Sequence, residues 1–130
     1  MFLPAASATT PKAAQSTETI WFQDGSHAEI VTTIPLTRGT LSADKQYTYT
    51  NSNNKKVFTY TLHGEFDSST HKATRASSIY TCYLSGWSLS SHNEYCSGST
   101  AYGDATFKGP GSASEDVSLT LTCDKNGNIT

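Results

Sequence analysis

A period of two runs through this chain almost without a break. It is clearest between Lys56 and Phe66. There Phe58, Tyr60, Leu62 and Phe66 fall on one face, and Val57, Thr59, Thr61, His63 and Glu65 on the other. Successive side chains of an extended backbone point to opposite faces, so this alternation marks a strand with one covered side. Glu18–Gln23, His27–Ile34 and Lys45–Thr50 follow the same rule, and further strands are predicted near 73–84, 87–96, 101–108 and 115–123. Turn residues separate them: Asp24-Gly25, Pro35, Gly39, the Asn51–Asn54 cluster, Gly86, Gly98, Gly109-Pro110-Gly111 and Asn126-Gly127. No stretch holds a helical period over three turns. Eight or nine short strands at this spacing predict an all-β chain, a single-domain antiparallel β-sandwich (immunoglobulin-like or related), with a small β-barrel as the alternative. Gly64 interrupts the apolar face of its strand and marks either a bulge or a close backbone approach.

The core must lean on aromatic residues. Leu, Ile, Val and Phe number only 21 of 130, while there are seven Tyr and two Trp. A formal net charge of −2 and 11% aromatics place the chain outside the disordered class. Its 18 Ser and 20 Thr, against only 15% charged residues, describe a surface of hydroxyls and an extracellular setting. The near-neutral balance argues against nucleic-acid binding, which needs a basic stripe or patch. No apolar run reaches the length of a membrane-spanning helix, about 18 residues.

Three cysteines, Cys82, Cys96 and Cys123, match no zinc or redox spacing. Cys82 shares a face with Tyr80 and Leu84, and Cys123 with Val117, Leu119 and Leu121. Both are therefore expected to look inward, and a Cys82–Cys123 disulfide is the first expectation. A Cys82–Cys96 bridge and three buried free thiols are the alternatives. Ala6-Ser7-Ala8 fits a signal-peptidase pattern. Residues 1–16 are accordingly read as a flexible leader with the remnant of a signal peptide, and residues 17–130 as the single β-domain.

Motifs for chemistry are sparse. His63, Glu65 and Asp67 alternate, with His71 close by, as metal ligands would. The same face carries Thr59 and Thr61, which describes a solvated strand surface, and that is the expectation. Asp124-x-Asn126-x-Asn128 resembles a calcium loop, but its glycine falls at the fourth position and no glutamate follows, so a turn is expected. There is no G-x-S-x-G elbow. No enzyme activity, cofactor or metal is expected. The aromatic side chains are the binding candidates: Trp21, Tyr47, Tyr49, Trp87 and Tyr95. Trp21 and Phe22 adjoin and face opposite ways, Tyr47 and Tyr49 share a face, and Trp87, Tyr83, Tyr95 and Tyr102 lie in one half of the chain. The core competes for all of them.

Several strings taken together resemble a group of uncharacterised small secreted proteins of Firmicutes, common in gut bacteria. They are Asp24-Gly25-Ser26 with Val31–Ile34, Tyr47-Thr48-Tyr49 with Phe58–Phe66, Trp87 with Ala101–Thr106, and Leu119–Asn128. The resemblance implies export and a small β-domain, and brings no functional residues with it. In that group a cysteine often follows the Gly-x-Phe strand; here Thr74 stands near that place. Thr70–Ala73 with Ser85-Gly86-Trp87 is similar to small β-sandwich bacteriocins of the lactococcin 972 type. The functional expectation is a secreted, non-enzymatic binding protein of a Gram-positive bacterium that contacts cell wall, surface glycans or a protein partner. A bacteriocin-like antimicrobial effector and a self-assembling surface protein are the alternatives.

Overall fold

The structure, a computed structural model, describes residues 14–35 and 41–130. It contains eight strands: β1 (Ala14–Trp21), β2 (His27–Ile34), β3 (Leu41–Thr50), β4 (Lys56–Phe66), β5 (Ala73–Cys82), β6 (Ser88–Ser97), β7 (Thr100–Lys108) and β8 (Ser114–Thr122). All pairings are antiparallel, in a five-stranded sheet of order β1-β2-β3-β4-β5 and a three-stranded sheet of order β6-β7-β8. The two pack face to face as a β-sandwich and do not close into a barrel. Each sheet is a meander, with sequence neighbours as spatial neighbours, so the Greek-key connections of an immunoglobulin domain are not used. The expected leader lies outside the described residues up to residue 13. Residues 14–16, read with it, belong instead to β1, where they pair with Ile34, Thr33 and Thr32.

The smaller sheet covers only part of the larger one. β5 packs against β6 and β7, and β8 lies across β3 and β4, while the β1–β2 hairpin overhangs. β4 is the spine: its inward residues Phe58, Tyr60, Leu62 and Phe66 are all buried. Opposite them β7 presents small side chains, Ala101, Gly103 and Ala105, before ending in Phe107. Gly64 marks a close approach rather than a bulge. A Cβ there would lie 3.1 Å from Ala101 Cβ and 3.3 Å from Leu121 Cδ1, while Gly64 itself pairs regularly with Ala76; the register shift comes later, between Glu65 and Phe66, where Thr74 of β5 is the extra residue.

One end of the core is aromatic. Phe58 and Phe107 stack at 3.8 Å between ring centroids, and Tyr47, Tyr49, Tyr60, Tyr80 and Trp87 surround this pair. Two phenols then bridge the sheets: Tyr47 Oη donates to Glu115 on β8, and Tyr60 Oη to Glu94 on β6, 2.7 Å away. Asp24, Asp67 and Asp124 each open a turn by accepting the N–H two residues on, at 2.7–2.9 Å.

No disulfide forms, and all three thiols are free. The expected Cys82–Cys123 pair fails on height rather than on face. Cys82 sits opposite Phe58 at the aromatic end, whereas the Cys123 N–H bonds Ser99 O beside Thr100, at the other end of β7. Phe107 and Thr100 are seven positions apart on one strand, roughly 23 Å, and a disulfide needs Cα atoms within about 7 Å. Cys96, opposite Ala101, is equally remote from Cys82. Burial pushes all three thiols up from their ordinary pKa, Cys123 with help from Asp124, so they are held as neutral thiols.

Candidate functional site

The five aromatic candidates divide by location. Tyr47 is buried, 5% exposed, with its hydroxyl on Glu115. Tyr49 and Trp87 are half-buried, with ring centroids 6.0 Å apart, and both pack on Phe58. Trp87 precedes β6 rather than starting it, and it lies flat over Gly109, where a Cβ would come within 2.3 Å of the indole. These three are core, so the platform expected from Tyr47 and Tyr49 faces the opposite sheet. Trp21 is 69% exposed at the end of β1, with its ring 4.5 Å from that of His27, while its neighbour Phe22 turns in against Tyr49. Tyr95 is 43% exposed.

Tyr95 is an exposed aromatic that adjoins rows of polar groups on paired strands. Tyr95 on β6 pairs with Tyr102 on β7, and the rings stack 4.6 Å apart at an interplanar angle of 8°. One ring face of Tyr95 is therefore covered by Tyr102, and the other turns away from the sheet interior at the edge strand. The next row along the same outer face is Asn93, Asp104 and Ser118, and the row after it Ser91, Thr106 and Asp116. Ser118 Oγ donates to Asp104 Oδ1 at 2.9 Å, and Thr106 Oγ1 to Asp116 Oδ1 at 2.8 Å. These rows floor an open depression of about 360 Å³. Each carboxylate has one oxygen engaged by a hydroxyl, which fixes its plane and leaves further lone pairs facing solvent. The tyrosine pair lies outside the lining of that depression, one row along the sheet, so the outer face carries an apolar ring pair and, next to it, rows of oriented acceptors and hydroxyls. Tyr102, Asn93, Asp104, Thr106, Asp116 and Ser118 were not read as site residues from the sequence. The available signal was the alternation Asn93-x-Tyr95 on β6 and Tyr102-x-Asp104-x-Thr106 on β7, which puts these side chains on shared faces.

The residues considered for metal binding are arranged otherwise. His63 lies between two carboxylates, Nδ1 2.7 Å from Asp44 and Nε2 3.0 Å from Glu65. Partial burial works against its charge, but the hydrogen bonds and charges of Asp44 and Glu65 outweigh it and hold the imidazole pKa above its ordinary value. Asp67 has left the strand: bonds from Ser69 Oγ and the Thr70 and Ser69 N–H groups push its carboxyl down to about 2. Asp124 takes the N–H groups of Asn126 and Asn128 at 2.8 and 2.9 Å, as a turn does. Comparison of the chain with protein-family models, with curated proteins and with solved structures gave no match.

Proposed function

We propose that this protein is an exported, non-enzymatic binding protein of a Gram-positive bacterium, and that it holds a cell-wall or surface glycan on the outer face of β6–β8. One observation carries the reading: the Tyr95–Tyr102 stack lies one row along the outer face from Asn93, Asp104 and Ser118. A sugar ring has one face rich in C–H groups, which packs on an aromatic plane, and a rim of hydroxyls. The rim donates to the Asp104 carboxylate and exchanges bonds with Asn93 and Ser118. Both halves of that recognition are positioned by main-chain pairing, so binding orders few side chains and loses little entropy.

The test is co-sedimentation of the purified protein with isolated Gram-positive cell wall and with mucin, against an albumin control. Saturable binding to either is expected, weakened about ten-fold by Tyr95→Ala, in line with the roughly 1.5 kcal/mol of an aromatic contact. Tyr95→Ala removes an exposed ring and leaves the fold intact. Trp87→Ala would instead open the aromatic end of the core. Absence of binding to both would overturn the glycan reading and leave a protein partner or a bacteriocin-like action in its place.

A further inference from the structure

We infer that two copies of this chain associate through β1, antiparallel edge to antiparallel edge, with Thr17 on the two-fold axis. A sheet edge presents unpaired N–H and C=O groups that template another strand unless something obstructs them. Of the four sheet edges among the described residues, three are obstructed. β5 is flanked by β6 and β7 of the other sheet, carries Arg75 and has an irregular register at Glu65/Phe66 of its partner. β6 is flanked by β5 of the other sheet and has a register shift between Leu89 and Ser91. On β8, Lys45 Nζ donates to Thr120 O at 2.7 Å, and Thr130 pairs with Thr122 in both directions at 2.9 and 3.0 Å.

Among the described residues, β1 has none of these devices. It is regular against β2 from Ala14 to Trp21, exposed at every position, without Lys or Pro, and with Glu18 as its single charge. Strand faces must match across a new pairing, so an antiparallel self-pairing has to be centred on a residue rather than between two. Two centres use nearly the whole strand. Centring on Glu18 sets the two Glu18 carboxylates face to face. Centring on Thr17 sets Ser16 opposite Glu18, Gln15 opposite Thr19 and Ala14 opposite Ile20, with no like charges opposed and Thr17 against its own copy. The occupant that this edge fits is therefore a second copy, related by an isologous two-fold axis. The joined sheet has ten strands and leaves both β6–β8 faces free.

Sedimentation velocity across a concentration series up to about 1 mM tests it, since a single strand pair buries little area and binds weakly. A monomer–dimer equilibrium is expected. Thr17→Lys, which places two ammonium groups together on the axis, abolishes the dimer without moving the melting temperature. Thr17→Cys cross-links to its own copy under mild oxidation, because directly opposed Cβ atoms lie about 5 Å apart. Thr19→Cys does not, since its copies are offset by roughly 14 Å. Peptide mapping separates this bond from any made by Cys82, Cys96 or Cys123. A monomer at all concentrations, or a dimer that survives Thr17→Lys, would overturn the inference, as would cross-linking through Thr19→Cys in preference to Thr17→Cys.

Discussion

His63 shows how a single residue on this surface sets a pH dependence. Both ring nitrogens face carboxylate oxygens, so both must carry protons for the two bonds to form together. The folded pKa is above the unfolded one. The stabilisation is therefore complete below the unfolded value, about 6.5, and is lost as pH rises through the folded value. His63→Asn is expected to cost about 0.5–1 kcal/mol at pH 6, a small figure because the site is partly exposed. The cost should vanish in alkaline solution, which urea unfolding at several pH values would show. Glu94 behaves in the opposite sense. Burial raises its pKa, but the bonds from Tyr60 and His92 outweigh that and hold it below its ordinary value. Its contribution is present above the unfolded pKa and lost as pH falls through the folded one. Tyr60→Phe removes the main donor to this carboxylate and is expected to cost about 1–3 kcal/mol near neutral pH. That difference should shrink as the pH falls through the lowered pKa of this carboxylate.

At the scale of the element, β7 explains why the strands could be read from the alternation and the site could not. The strand positions and most turns follow from a period of two and from Gly, Asn, Asp and Pro, which act locally. Which face of a strand the second sheet covers is not local. On β7 the larger side chains, Tyr102, Asp104 and Thr106, point out, while Ala101, Gly103 and Ala105 point in, because Tyr60 and Leu62 of β4 fill the space above them. On β6 the carboxylate of Glu94 points in and Tyr95 points out, an inversion made possible by the Tyr60 hydroxyl that meets Glu94. Polarity alone assigns β7 as observed, with Phe107 on the inward row, but it would assign Glu94 and Tyr95 on β6 the other way. The cysteines carry the same lesson along the other axis: alternation reports the face of Cys82 and Cys123 but not their height in the sandwich. Gly103 tests the packing account. A Cβ there would lie 2.7 Å from Tyr60 Oη and 2.9 Å from Leu62 Cδ1. Gly103→Ala is therefore expected to destabilise by roughly 1–3 kcal/mol, measured by chemical denaturation.

The whole molecule is a sandwich held by aromatic packing and two inter-sheet phenol–carboxylate bonds, without a covalent brace. Reduction is accordingly expected to leave the melting temperature unchanged, and thiol titration of the unfolded, unreduced protein should find all three cysteines reactive; a shift on reduction would contradict the free-thiol arrangement. Among the described residues, the five-stranded sheet leaves its β1 edge unpaired, and the three-stranded sheet turns its aromatic and polar rows outward. We propose that glycan binds on the outer face of β6–β8. The most direct measurement is an amide chemical-shift titration of the isotope-labelled protein with soluble fragments of Gram-positive cell-wall glycan and with mucin oligosaccharides. Saturable shifts confined to Asn93, Tyr95, Tyr102, Asp104 and their neighbours on β6–β8, and lost in Tyr95→Ala, are expected. Shifts centred on β1 and β2, or none with either ligand, would contradict the proposal.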